Sequence, residues 1–354
     1  PRSTLFPYTT LFRSNIKRRY GVDLKESVTE SDLGLTYKKG KTVKVTHKKS
    51  GKELVIIDKP NVKREYEKIG FVEAVQRLGD QYGIEVQLTQ AKGGKELFSN
   101  LYELHEMATT LYHKNLFSEK GKPVLSYLSD RGLEKEILEQ FKIGLAYDTW
   151  DDLLTLAKKK KMSNEVLEKT GLFLKTEKGT FDRFRNRIMF PIFNTSGRVV
   201  AFGGRSLDPK DPAKYLNSPE TPLYKKRDLF YGLQSARQPI REHGYAIFVE
   251  GYMDFLQLFQ AGIQNVTALS GTALTEHHGL QIRKFTNRAI LAYDGDDAGV
   301  DASIRAGYLL LRVGIEPQIV RIPDKMDPDD WVRKSGVNEF RKAVDRAVPV
   351  LACH

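Results

Sequence analysis

From Tyr245 to Asp330 short apolar runs recur, and three of them deliver carboxylates at their ends. Tyr245-Ala-Ile-Phe-Val249 leads into Glu250 and then Asp254, and Ala289-Ile-Leu-Ala-Tyr293 leads into Asp294-Gly-Asp296-Asp297. Gln318–Ile322 is followed by Asp327-Pro-Asp329-Asp330, while Asn265–Leu269 ends on Ser-Gly. Helix-like runs over 254–260, 275–285 and 302–311 separate these segments. Apolar strands without alternation, joined through helices, predict a parallel sheet covered on both faces. The expected fold class is α/β: a parallel four-strand sheet between helices, preceded by a mixed α+β basic subdomain.

Ligands of an open parallel sheet gather beyond the carboxyl ends of its strands. Glu250 directly follows the first strand and Asp294 the third, with Asp296 in the same turn. If these strands are neighbours the three acids converge on one edge, and Asp327 and Asp329 line the same rim. Carboxylates so close repel and shift upward in pKa unless a cation intervenes. Oxygen ligands with no His or Cys among them favour Mg²⁺ or Mn²⁺ over zinc. Such ions activate a hydroxyl and stabilise an in-line phosphoryl displacement. A surface turn is the rival reading of Asp-Gly-Asp-Asp, and three acidic strand ends weigh against it. The spacing does not follow the twelve-residue ligand loop of an EF-hand.

Upstream, Ile188–Phe193 and Arg198–Phe202 flank Asn194-Thr-Ser-Gly197, a hairpin signal. The return strand ends in Gly203-Gly204-Arg205, where missing side chains would let backbone approach a ligand. Lys214-Tyr215-Leu-Asn217 and Tyr224-Lys225-Lys-Arg227 mix cations with Tyr and Asn, as suits contact with phosphates and stacked bases. A basic loop on a soluble domain explains these residues equally well. Leu97–Phe117 reads as a long amphipathic helix whose His105 and His113 are expected at solvated positions. Lys158–Lys161 ends a helix, where lysines complement the dipole. Lys92-Gly-Gly-Lys95 reads as a linker. Before it, Val62–Tyr82 has helical spacing, and Lys41–His47, Lys52–Asp58 and Ile84–Leu88 read as strands, the first two joined by a turn at Ser50-Gly51.

A formal charge of +12 points to a polyanionic partner, nucleic acid ahead of a membrane surface, or to a basic solvated surface. Cys353 is the only cysteine, which excludes an intrachain disulfide and a thiolate zinc site. No apolar run approaches a membrane span, and a cytoplasmic setting is expected. Thr4–Ser14 resembles the translation of a common sequencing adapter, so Pro1–Ser14 is expected to be a scar. The expected organisation is 1–14 scar, 15–92 a divergent basic segment without zinc ligands, 93–240 the N-terminal subdomain of a catalytic core, 241–325 the sheet with its acids, and 326–354 the start of a truncated helical subdomain.

Val249–Asp254, Leu269–Thr275 and Tyr293–Gly299 resemble a TOPRIM domain, with its Glu after strand one and Asp-x-Asp after strand three. Together with Asp182-Arg-Phe-Arg-Asn-Arg-Ile-Met-Phe-Pro191, Ala201-Phe-Gly-Gly-Arg205 and Lys214–Thr221 they resemble the bacterial replicative primase family of the DnaG type, from about Leu97 to Phe340. The resemblance implies that Glu250, Asp294 and Asp296 hold catalytic Mg²⁺ or Mn²⁺, supported by Asp254, Asp327 and Asp329. It implies that Arg131, Arg205, Lys214 and Lys225, with Tyr215 and Asn217 in the same motif, contact template, primer or nucleotide. The implied reaction joins ribonucleoside triphosphates on single-stranded DNA into short RNA primers during replication, with a replicative helicase as partner through a C-terminal domain. The family's N-terminal zinc ribbon is expected to be either degenerate or replaced here, since 15–61 contains no Cys, and zinc is not expected. Other readings of the same acids are a TOPRIM nuclease or topoisomerase, or a non-catalytic remnant that binds single-stranded DNA.

Overall fold

The computed structural model describes residues 42–47, 53–57, 84–87 and 92–352 except 270 and 272, with side chains from Glu96 onward. The proposed scar, the helix at 62–82 and the turn at Ser50-Gly51 lie outside the described residues. The chain divides at Glu96/Leu97 into two units. In the first, β1 (Thr42–His47) pairs antiparallel with both β2 (Glu53–Ile57) and β3 (Ile84–Gln87), which joins the three expected strands in one sheet.

Helix α1 (Lys92–Leu116) replaces the expected linker. Two glycines cost about 1 kcal/mol each in a helix, but at its first turn they extend an amphipathic segment whose Leu101, Leu104 and Ala108 are fully buried. His105 is fully buried, with its ring stacked on Phe202 and Nδ1 2.7 Å from the Leu101 carbonyl. His113 Nδ1 lies 2.7 Å from the Ile143 carbonyl oxygen. The expectation that both are solvated is therefore corrected: the face they share is the one that packs.

Next come α2 (Lys122–Asp130), α3 (Lys135–Gln140), β4 (Gly144–Ala146), α4 (Asp152–Lys159), α5 (Asn164–Lys169) and the hairpin β5 (Phe173–Thr176) and β6 (Gly179–Asp182). The lysine run closes α4, as the dipole argument expects. The hairpin read from sequence forms as β7 (Arg187–Phe193) and β8 (Val199–Ser206), with β4 and β9 (Tyr215–Asn217) on its outer sides. Met189, Val199 and Phe202 of this sheet pack on α1, while Ile188, Phe190 and Ile192 share a core with the next layer.

Helix α6 (Leu233–His243) leads into the second sheet. Its strands β10 (Ala246–Val249), β11 (Val266–Ala268), β12 (Arg288–Leu291) and β13 (Glu316–Ile319) are parallel, in the order β11-β10-β12-β13. Ile247 and Val249 face α7 (Tyr252–Gln260), whereas Ala246 and Phe248 face the side of α6, α8 (Glu276–Ile282) and α9 (Asp297–Arg312). Helices α10 (Pro328–Ser335) and α11 (Val337–Asp345) pack with α7, and β14 (Val348–Pro349) adds an antiparallel edge beside β13. This fifth strand comes from a stretch expected to begin a helical subdomain. Among the described residues no helix is long and apolar enough to cross a membrane.

Candidate active site

Because β10 and β12 are hydrogen-bonded neighbours, the acids that follow them meet. The Asp294 amide donates to Glu250 Oε1 at 3.4 Å. Gly295 brings the third loop in: its amide donates to the Met326 carbonyl at 2.8 Å, and a Cβ there would lie 2.2 Å from the Pro323 carbonyl oxygen. No side chain fits at that approach, which sets Asp327 beside Asp294. Asp254 lies in the first turn of α7. Its Oδ2 accepts from the Gly251 amide at 3.0 Å and its Oδ1 from the Asp329 amide at 3.2 Å, so it ties the first acidic loop to the last.

Glu250, Asp254, Asp294 and Asp327 line a cleft of about 290 Å³, with Arg131, Arg205, Lys214 and Tyr215 around it. Arg131 caps the C-terminus of α2, whereas Arg205 lies near the end of β8, Tyr215 pairs with it from β9, and Lys214 precedes β9. Arg205 lies over the Tyr127 ring at 5.4 Å and the Tyr215 ring at 6.0 Å, contacts that aim its guanidinium. Arg131, on the cleft wall, forms a salt bridge with the fully buried Asp329.

Electrostatics favour a cation. Burial pushes the Asp294 carboxyl up to about 7, with Glu250, Asp327 and Asp296 adding repulsion and Lys214 opposing it. Burial, then Asp327 and Asp294, raises Asp254 to about 8. Burial also raises Glu250, and burial raises Asp329 against the pull of Arg131. Asp329 Oδ1 is buried without a hydrogen-bond partner. An all-oxygen donor set that holds protons so tightly fits a hard divalent cation, whose charge reverses these shifts. Glu250, Asp294 and Asp327 are free of the strut role of Asp254 and would hold it.

Four expected site residues stand apart from the cleft wall. Asp296 is exposed and caps α9, accepting from the Gly299 amide at 2.8 Å, although its charge still reaches Glu250 and Asp294. Asp329 is an anchor for Arg131 rather than part of the rim. Lys225 is exposed, just before the 3₁₀ turn Lys226–Asp228. Asn217 Oδ1 accepts from the Tyr252 hydroxyl at 2.8 Å.

Tyr252, which the sequence motifs did not single out, joins the two halves of the site. Its ring stacks on Phe190 at 4.7 Å and fills the notch left by Gly203, where a Cβ would lie 2.3 Å from the ring. The expectation that Gly203-Gly204 admits a ligand is corrected here, since what approaches Gly203 is this aromatic ring. The signal was present in the Gly-Gly pair, but a sequence does not say which partner uses the space.

Comparison with known proteins agrees with this geometry. Residues 111–237 match the family described as DNA primase catalytic core, N-terminal domain, and residues 247–332 match the Toprim-like family. The DNA primase of Listeria monocytogenes is 37% identical over 289 residues, covering 78% of this chain and 46% of that protein. The DNA primase of Clostridium acetobutylicum is 38% identical over 285 residues, covering 79% and 47%. The chain thus spans about half the length of the curated relatives it matches. The RNA polymerase domain of Mycobacterium tuberculosis primase DnaG superposes with a TM-score of 0.66 at 33% identity, covering 71% of this chain and 84% of that one. A DnaG primase catalytic domain solved bound to single-stranded DNA gives 0.66 at 37% identity, covering 73% and 81%. By these matches the chain belongs to the bacterial DNA primase family of the DnaG type, as a primase catalytic core carrying a Toprim domain.

Proposed function

We propose that this chain joins ribonucleoside triphosphates into short RNA primers on single-stranded DNA, with Mg²⁺ or Mn²⁺ in the acidic half of the cleft. The observation that carries the reading is the meeting of two charge sets. Carboxylates from three strand ends of the parallel sheet face Arg131, Arg205 and Lys214 across one cleft. A bound divalent cation would supply activation of the attacking hydroxyl and neutralisation of phosphate oxygens.

The chain's own residues do the remainder. Glu250, Asp294 and Asp327 hold the cation, with Asp296 adding charge from the start of α9. Arg131, Arg205 and Lys214 bind triphosphate or backbone phosphate, and Arg131 is held in place by Asp329. Tyr215, 39% exposed beside Arg205, offers a face on which a base stacks. Lys225 extends the positive surface for the template. The chain works in the cytoplasm, and a replicative helicase is the partner of a longer protein through its C-terminal domain. No zinc is assigned to this chain.

Incorporation of labelled ribonucleotides on single-stranded DNA, with Mg²⁺ or Mn²⁺, tests the reading. Asp294→Ala and Glu250→Ala are each expected to abolish incorporation while circular dichroism remains that of the folded chain. Near-normal synthesis by either folded variant would overturn the assignment. A pre-primed template in parallel separates initiation from extension.

A further inference from the structure

Between β9 and α6 the chain carries three cations in a row, Lys225-Lys226-Arg227, at the 3₁₀ turn Lys226–Asp228. Lys225 and Arg227 are exposed and Lys226 is half-buried. Among the described residues neither lysine ammonium is in an ion pair, whereas Arg227 Nε lies 3.9 Å from Asp228 Oδ1. The turn holds itself weakly. The Asp228 amide donates to the Lys225 carbonyl at 3.0 Å, but the Leu229 amide reaches the Lys226 carbonyl only at 3.5 Å, longer than the usual range. From the preceding segment Glu220 Oε1 accepts from the Lys226 amide at 2.8 Å.

The carbonyls of the turn find their partners on α8. His278, fully buried with its ring 4.7 Å from that of Phe230, places Nε2 3.0 Å from the Lys226 carbonyl oxygen and 3.3 Å from that of Leu229. Its Nδ1 accepts from the Thr275 amide at 3.2 Å, which puts the proton of the neutral ring on Nε2, facing the turn. The Thr275 hydroxyl lies 3.1 Å from the Arg227 carbonyl oxygen and 3.0 Å from Nδ1, and it accepts from the His278 amide at 3.2 Å. Thr275 and His278 form the capping box of α8, and a capping box is complete with the bonds inside its own helix. The reach to Lys226, Arg227 and Leu229 is additional.

We infer that His278 and Thr275 are positioning residues for single-stranded DNA: by holding the carbonyls of Lys226, Arg227 and Leu229 they fix the backbone from which the Lys225 and Lys226 ammoniums meet phosphate. This rests on the primase reading, which puts DNA on this surface, and adds to it two residues that act through the lysines. A lysine is a point charge on a flexible stem, so the stem's root decides where the charge is delivered. A root already held also spares the binding step the cost of ordering the loop.

Anisotropy of a fluorescent oligo(dT) measured from about 50 to about 200 mM salt counts phosphate contacts, since each adds about 0.7 to the slope of log affinity against log salt on a single strand. Lys225→Ala/Lys226→Ala is expected to flatten the slope by about 1.4, and His278→Phe, which keeps a ring against Phe230 but removes both nitrogens, by about 0.7 or more. His278→Gln, whose amide still donates towards the turn, restores most of the slope. In the Lys225→Ala/Lys226→Ala background, His278→Phe changes neither affinity nor slope further. A wild-type slope in His278→Phe, even with a lowered melting temperature, would overturn the inference, because that is what a histidine serving only the fold gives. An additive loss in the lysine-free background would overturn it too. If His278→Phe does not fold, Thr275→Val decides: it removes the hydroxyl facing the Arg227 carbonyl and is expected to flatten the slope, and a wild-type slope there sinks the idea. If Lys225→Ala/Lys226→Ala binds as the wild type does, the turn is no DNA surface and the inference fails while the catalytic reading stands. If the slopes behave as expected but the wild type makes no primers, the primase reading fails and the clamp on the turn stands.

Discussion

His105 shows how one side chain carries a pH dependence into a core. It is fully buried against Phe202, and burial lowers its pKa to about 4, with the hydrogen bond to the Leu101 carbonyl opposing the shift. In the unfolded chain the imidazole titrates near its ordinary value of 6.5. As pH falls below that, the unfolded state takes up a proton that the folded state refuses. Stability present at neutral pH is therefore lost progressively from 6.5 towards 4. Between pH 6.5 and 5 the loss from this residue is about 2 kcal/mol, at about 1.4 kcal/mol per pH unit. Melting temperature followed from pH 7 to 5 should fall steeply for the wild type and less steeply for His105→Phe. A slope that the substitution leaves unaltered would show that another group titrates. His278, also lowered chiefly by burial, accounts for part of any residual slope.

Helix α4 depends on a residue from far along the chain. Its formal N-cap, Asp151, makes no side-chain capping bond. Asp182, at the end of β6, accepts instead from the amides of Leu153 at 2.8 Å and Leu154 at 2.9 Å. Burial pushes its carboxyl up to about 6, with those two bonds pulling the other way. Asp182→Ala strips both amides of their acceptor and is expected to cost about 1–2 kcal/mol, the range for a lost cap. Urea denaturation at neutral pH measures it, and a midpoint equal to wild type would refute the capping role.

At the same scale, what was legible in the sequence follows from range. The β7–β8 hairpin and the acids at strand ends were readable because periodicity and turn chemistry are local. Strand adjacency converted the Glu250 and Asp294 positions into a cleft; the alternating strand–helix pattern implied a parallel sheet but left the order of its strands open. Contacts across long separations were not readable. Tyr252 in the Gly203 notch, Asp182 under α4 and Arg131 on Asp329 each join segments whose local patterns carry no mark of the partner. His105 was misplaced for a related reason. Spacing puts it and His113 on one face but does not say that the face is covered.

The molecule from Leu97 onward closes its second sheet with the last described residues. β13 would be an edge without β14, leaving the amide and carbonyl of Ile319 open to another chain. Val350, 1% exposed, packs against α9 at Gly307, where a Cβ would lie 2.6 Å from its Cγ2. The acidic loops hang on the same frame, since Asp294 follows β12 while Asp327 lies between β13 and α10. A chain ending at Asp345 therefore loses both the edge strand and the Val350 plug. Burial of a Val side chain stabilises by about 1.5–3 kcal/mol. The expected result is a melting temperature lower by several degrees, about 2–4 °C per kcal/mol in a unit this large, with more aggregation on heating. Because Glu250 and Asp294 follow β10 and β12, which stay interior to the sheet, ribonucleotide incorporation at low temperature should survive the truncation. Thermal melting and light scattering on the two chains test this directly. Equal melting curves would show that the edge strand contributes nothing, and loss of activity in a chain that remains folded would show that it reaches the site.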